Sequence, residues 1–127
     1  MSEPFKHGTF SWCELMTTDV PAAKTFYTKL FGWESEEMSM PGMTYTVVKI
    51  AGTGIGGIMQ IPAEAQGMPP AWGAYVTVDD VDTSAKLAEQ LGAKVLVPPR
   101  DIPNVGRFCV IQDPQGASLN LITYTKM

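Results

Sequence analysis

One histidine, His7, two cysteines, Cys13 and Cys109, and one carboxylate inside an apolar strand-like run, Glu14, are the residues of this 127-residue chain to which chemistry is first assigned. A single histidine excludes a three-histidine zinc centre or an HExxH metalloprotease within one chain. A Ser-His-Asp or Cys-His triad would have to draw on His7, in the N-terminal arm and far from any strand end. Both cysteines lie in strand-like apolar text. They are expected as reduced, buried thiols of a cytoplasmic protein, not as a disulfide framework. Glu14 sits two residues from Trp12 in FSWCELMTT (10–18). A carboxylate in the middle of a strand beside an indole is partly desolvated, which suits a general base or a hydrogen-bond donor. The alternative is structural: a nearby Asn, Tyr or backbone N–H satisfies Glu14, which then only props the sheet.

Strand alternation assigns faces to these residues, because side chains point to opposite sides at a period of two. It places Trp12, Glu14 and Met16 on one face, and Cys13, Leu15 and Thr17 on the other, towards a helix layer. By the same rule Gly73, Tyr75 and Thr77 oppose Ala74, Val76 and Val78. On the last strand Ser118, Asn120 and Ile122 oppose Leu119 and Leu121. The helix-facing sets are small or apolar, and the other sets mix aromatic with polar residues, as a ligand pocket does. Trp12 and Trp72 are candidate aromatic walls for a planar ligand; the alternative is that the indoles fill space and bond locally. Tyr45, Tyr75 and Phe108 are weaker members of the same wall. Asn120 either reads a ligand carbonyl or amide, or bonds Glu14. Pro98–Gly106 (PPRDIPNVG), which holds Arg100 and Asp101, is read as a stiff loop where Arg100 or the following Arg107 meets an anionic ligand, or a local ion pair forms.

Gly52-Thr53-Gly54-Ile55-Gly56-Gly57 matches G-x-G-x-x-G, yet strand-like text follows it. The dinucleotide fingerprint needs a helix to begin there. These glycines are expected instead to form a hairpin turn, and positions where the sheet bends or a ligand approaches closely.

The elements that position these residues repeat. Phe10–Thr18 is a strand, Asp19 an N-cap, and the helix runs to about Phe31 before Gly32. Sixty-one residues on, Trp72–Asp79 is a strand, Asp80 an N-cap, and a second helix ends at Gly92. Short strands follow each helix: 33–37, 44–50 and 54–61, then 94–97, 107–112 and 118–123. Asp113-Pro114-Gln115-Gly116 has the residues of a type I turn. Each half is thus βαβββ, giving an α+β class, with 62–70 as linker. Hydrophobic residues form 45% of the chain and charged residues 17%, enough for a packed core. The net charge of −4, with no basic cluster, argues against nucleic acid or an anionic membrane as partner. No apolar run is long enough to span a membrane, and MSEPFKHGTF carries no secretory h-region.

A paired βαβββ chain with these caps and this turn resembles the vicinal oxygen chelate superfamily of glyoxalase I, bleomycin-resistance proteins and extradiol dioxygenases. The segments that carry the resemblance are ELMTTDVPAAKTFYTKLFGW (14–33), YVTVDDVDTSAKLAEQLGAKV (75–95) and GRFCVIQDPQGASLNLI (106–122). The resemblance implies one domain over 1–127, modules at 10–61 and 71–124, curved sheets forming a cleft with helices outside, and homodimers. It also implies a divalent metal bound seven residues before each Asp N-cap and four after the turn glycine. Those positions here are Trp12, Gly73 and Asn120, which lack carboxylate and imidazole, so neither metal nor cofactor is expected. The leading expectation is a metal-free protein that binds a small, partly apolar or aromatic molecule through Trp12, Glu14, Tyr45, Trp72, Tyr75, Phe108 and Asn120. The alternatives are a lyase, isomerase or hydroxylase using Glu14 as acid/base, and a metal-dependent lyase or dioxygenase.

Overall fold

Each helix begins on an aspartate that answers its exposed N–H groups. Asp19 accepts from the amide of Ala22 at 3.0 Å, with Pro21 in the first turn, and starts α1 (Val20–Phe31). Asp80 accepts from Asp82 and Thr83 and starts α2 (Val81–Gln90). Gly32 closes α1 in the left-handed conformation, φ 73°, which a residue without Cβ adopts freely. The structure, a computed structural model, describes residues 6–40, 43–63, 67–102 and 105–125. Residues 64–66 of the expected linker and 103–104 of the expected loop lie outside that description.

The strands are β1 (Phe10–Thr17), β2 (Glu34–Met40), β3 (Met43–Ile50), β4 (Thr53–Gln60), β5 (Ala71–Thr77), β6 (Lys94–Ile102), β7 (Gly106–Gln112) and β8 (Ser118–Tyr124). The chain divides into two compact units, one of residues 12–73, the other of the N-terminal segment to Ser11 with everything from Ala74 onward. The strand order in the first is β2-β3-β4-β1, and in the second β5-β8-β7-β6. In each, the strand before the helix runs parallel to the last strand of its module, β1 with β4 and β5 with β8, and the remaining pairs are antiparallel. The α+β class and both βαβββ repeats are as the sequence predicts.

The cores sit beneath the helices on the predicted faces. Leu15, Val48 and Ile58 pack with Val20, Ala23, Tyr27 and Trp33 in the first unit. Val78, Val81, Ala85, Cys109 and Leu121 pack with Val76, Val95, Ile111 and Leu119 in the second. In the second unit the N-terminal segment lies along β5: the Gly8 amide donates to the Thr77 carbonyl, and the Thr77 amide to that of Thr9. His7 Nδ1 accepts from the Asp79 amide at 2.9 Å.

Two expectations need correction, and a third holds. β6 does not stop at Val97 but continues through Pro98 and Pro99 to Ile102, pairing Asp101 with Arg107. It lies at the edge of its sheet, where a proline removes no ladder hydrogen bond, and bulges on either side of Val97 absorb the irregularity. Cys13 is exposed while Cys109 is buried, and both thiols are free. Facing the helix side does not bury Cys13, because α1 itself contains no buried residue. The glycine run opens in the expected hairpin turn: Ala51 (φ 50°) and Gly52 (φ 80°) join the paired Ile50 and Thr53, both positive φ values suit such a tight connection, and the remaining glycines lie in β4.

Candidate functional site

Leu15, Val48 and Ile58 face α1, so their strand neighbours Glu14, Val47 and Gly57 point to the opposite side of the first unit's sheet. There Gly57 stands opposite Glu14 in the β1/β4 register and opposite Val47 in the β3/β4 register. Tyr45, on β3, reaches across β4 at this glycine. Its hydroxyl donates to Glu14 Oε2 at 2.7 Å and accepts from Trp12 Nε1 at 2.9 Å. A Cβ built at Gly57 would overlap the Tyr45 hydroxyl and ring, so the missing side chain is what lets the phenol pass. At Gly54 no such clash arises with the indole, whose Cη2 lies 3.6 Å from the position a Cβ would take, an ordinary packing contact.

The result is an indole–phenol–carboxylate chain on a sheet face. Glu14 is only 4% exposed, whereas Trp12, Met16, Tyr45 and Met59 are half-buried. A buried carboxylate demands hydrogen-bond partners, and Tyr45 is one of them. The pairing of Glu14 with a tyrosine was among the expectations. That the tyrosine is Tyr45, two strands away, was not, because only the register and Gly57 bring it there.

The remaining candidates lie elsewhere. Trp72 donates to the Tyr27 hydroxyl at 3.2 Å and packs edge-on against Tyr27 and Trp33, with centroids 5.3 and 6.2 Å apart. It is therefore on the helix side, and the structure does not bring it together with Trp12. The alternation rule carries this signal: Trp72 and the core-packed Val76 are four residues apart on one strand, hence on one face.

In the second unit Tyr75 is opposite Asn120 in the β5/β8 register, and Phe108 is opposite Ile122 in β7/β8. All four are buried and lie on the face away from α2. Sequence reasoning missed a hydroxyl chain in this unit: Thr77 Oγ1 donates to Ser11 Oγ at 2.9 Å, and Ser11 Oγ lies 2.9 Å from Tyr124 OH. Only knowledge of which strands pair could have revealed it.

Arg107 is engaged locally. It binds Asp82 through Nε (2.8 Å) and Nη2 (3.1 Å), and Asp101 through Nη1 (3.1 Å). The Arg107 hydrogen bonds hold the Asp82 carboxyl below its ordinary value, and both aspartates raise Arg107 in turn. Burial pushes the Cys109 thiol up to about 11.

These residues do not fit a divalent metal. At the positions the resemblance implies, an indole can only donate, and Trp12 gives its N–H to Tyr45. No group of three His, Cys, Asp or Glu side chains among the described residues is arranged to hold an ion.

The chain is 40% identical over 120 residues to the Mycobacterium tuberculosis protein named "Putative glyoxylase CFP32", a match covering 92% of this chain and 46% of that protein. It is 32% identical over 127 residues to the anthracycline biosynthesis protein DnrV of Streptomyces peucetius, covering 90% of this chain and 46% of that one. It thus spans about half the length of these relatives. Among solved structures, methylmalonyl-CoA epimerase from M. tuberculosis matches with a TM-score of 0.65 at 15% identity, covering 99% of this chain and 93% of that one. A Streptomyces coelicolor methylmalonyl-CoA epimerase variant in complex with 2-nitronate-propionyl-CoA gives 0.66 at 18%, covering 96% and 98%. At such identities the likeness is one of fold. The model of the Glyoxalase/Bleomycin resistance protein/Dioxygenase superfamily matches residues 9–121, and the chain belongs to that superfamily.

Proposed function

We propose that the sheet face carrying Trp12, Tyr45 and Glu14 binds, without a metal, a small planar molecule that bears a hydroxyl. The observation that carries this reading is a nearly buried carboxylate held by a phenol that is itself held by an indole. An ionised carboxylate only accepts hydrogen bonds, so it selects a phenol or enol O–H, while a half-buried indole beside it stacks an aromatic ring. Tyr75, Phe108 and Asn120 are proposed as ligand contacts on the second unit's face. The name of the relative DnrV points the same way, since anthracyclines are planar polycyclic phenols. Two free thiols support a reducing, cytoplasmic setting. The test is titration with 1,4-dihydroxyanthraquinone, read by tryptophan fluorescence and calorimetry. Saturable 1:1 binding, weakened at least about tenfold by Trp12→Leu and by Glu14→Gln, is expected. No saturable binding, or affinity unchanged in both variants, would sink the reading.

A second reading rests on the 2.7 Å contact between Tyr45 and Glu14. A carboxylate paired with a phenol can take a proton from a carbon acid while the phenol returns one to oxygen. Glu14→Gln separates the two readings. Binding without turnover in either protein keeps the first, and turnover lost in the variant establishes the second.

A further inference from the structure

We propose, on the reading that the second unit's face carries a ligand, that this face receives a carboxylate borne on an aromatic ring, with Arg100 supplying the charge and the Asn120 amide an N–H. Strand register sorts the unit's two arginines to opposite sides. Asp101 pairs with Arg107 across β6 and β7, and Arg107 reaches Asp82 on α2, so both lie on the helix side. Arg100 is opposite Phe108, and Phe108 is opposite Ile122 on β8. Residues directly opposite share a face, which sets Arg100 with Phe108, Ile122, Asn120 and Tyr75, away from α2. Arg107 is held by two aspartates on the wrong side of the sheet for this role. Arg100 is exposed. A guanidinium has five N–H donors, so it meets a ligand at the rim alongside its other contacts.

Asn120 points the same way. It is only 6% exposed, yet its amide is hydrogen-bonded to none of the described residues. Buried amides are rarely left so. On the same face Thr77 donates to Ser11, and Ser11 meets Tyr124, so these hydroxyls answer one another while the amide does not. Around Asn120 stand Tyr75, Phe108, Val110 and Ile122, all buried. An amide set among rings and aliphatic side chains suits a polar group that arrives attached to a ring.

The spacing narrows that group. Arg100 and Asn120 stand two strands apart and one register step along, roughly 12 Å between Cα atoms at the usual strand spacing and rise. A long arginine and a short amide, extended towards each other, leave between them room for a group of a few atoms. One guanidinium fork and one amide N–H2 match the two oxygens of a carboxylate. A phosphate would leave further oxygens unanswered among buried apolar side chains.

Calorimetry with 2-naphthoate, which has no hydroxyl, and with its neutral counterpart 2-naphthamide tests the assignment. The wild type is expected to bind the acid at least about tenfold more tightly than the amide. Arg100→Gln should erase that preference and Arg100→Lys keep part of it, while added salt weakens only the acid. Asn120→Asp, of equal size, should weaken naphthoate at least about tenfold by setting acid against acid; should its circular dichroism depart from the wild type, Asn120→Leu repeats the test. Glu14→Gln should leave naphthoate binding unchanged. No saturable binding of naphthoate, equal affinity for the two probes, or a preference that survives Arg100→Gln overturns the proposal. If 1,4-dihydroxyanthraquinone fails to bind while the Arg100-dependent preference holds, the hydroxyl reading falls and the carboxylate site stands; the converse result removes the carboxylate site alone.

Discussion

Adding one methyl group at Gly57 tests the site directly. A Cβ there would overlap the hydroxyl and ring of Tyr45, and the strand cannot yield, because β4 is hydrogen-bonded to β1 on one side and β3 on the other. Tyr45 must therefore leave. Its departure removes a hydrogen bond to a carboxylate, about 1.5–3 kcal/mol, and one from an indole, about 0.5–1.5 kcal/mol. Strain in the packed neighbourhood brings the expected cost of Gly57→Ala to about 3–5 kcal/mol. That is a large share of the roughly 5–15 kcal/mol that holds a domain folded. Tyr45→Phe removes both bonds without the overlap and should cost about 2–4 kcal/mol. The decisive variant is the double one. In a Tyr45→Ala background the clash is absent, and Gly57→Ala should cost under about 1 kcal/mol, a coupling of at least about 2 kcal/mol. Urea unfolding followed by circular dichroism and tryptophan fluorescence measures all four corners. If the two substitutions add within about 0.5 kcal/mol, Tyr45 does not cross at Gly57 and the site as described is wrong.

Two further predictions concern titration in the second unit. Asp82 is held below its ordinary value of 3.8 by Arg107, so the pair's contribution is complete above about pH 4 and fades as pH falls through the lowered value. Arg107→Gln should therefore destabilise the protein more at pH 6 than in strong acid, and an equal deficit in both would refute the pairing. Cys109 runs the other way: with its thiol raised from 9.0 to about 11 by burial, its contribution is present below pH 9 and declines as pH rises towards 11. Cys109→Ala should flatten that alkaline decline. In the native wild type, iodoacetamide at pH 8 should label Cys13 and spare Cys109 until urea is added.

What the sequence discloses and what it withholds divide along the range of the interaction. Asp19, Asp80, Gly32 and the Asp113–Gly116 turn act within a few residues, and each does what its local chemistry dictates: the Gly116 amide closes the turn onto the Asp113 carbonyl at 2.9 Å. Alternation is nearly as local, and it sorts Leu15, Val76, Leu119 and Leu121 onto the helix side as found. It fails to bury Cys13 because burial depends on how tightly α1 packs, which a period of two cannot express. The proline-bearing end of β6 escapes a local reading because edge position is a property of the finished sheet. The Trp12–Tyr45–Glu14 chain joins residues up to 33 positions apart, and their meeting depends on a strand register that no local pattern encodes. Its one trace lay in the glycine run, read as a place of close approach. What approaches Gly57 is the protein's own Tyr45.

That substitution of roles bears on the family's chemistry. A metal site in this fold asks for acceptors that converge on an ion, and it tolerates no donor aimed into the same space. Here a position where the resemblance implies a ligand is a donor, Trp12, whose N–H is bound by the Tyr45 hydroxyl, and Tyr45 donates its own O–H to Glu14. The polarity of the chain runs one way, from indole through phenol to carboxylate, and ends on a group that only accepts when ionised. Restoring a histidine at position 12 would supply one ligand and remove the donor that orients Tyr45, while Gly73 would still contribute no side chain. The arrangement is thus not a metal site with one part missing. It is a hydrogen-bonding chain whose parts depend on one another, and on the proposed reading its buried carboxylate beside an indole suits a ligand that brings its own proton.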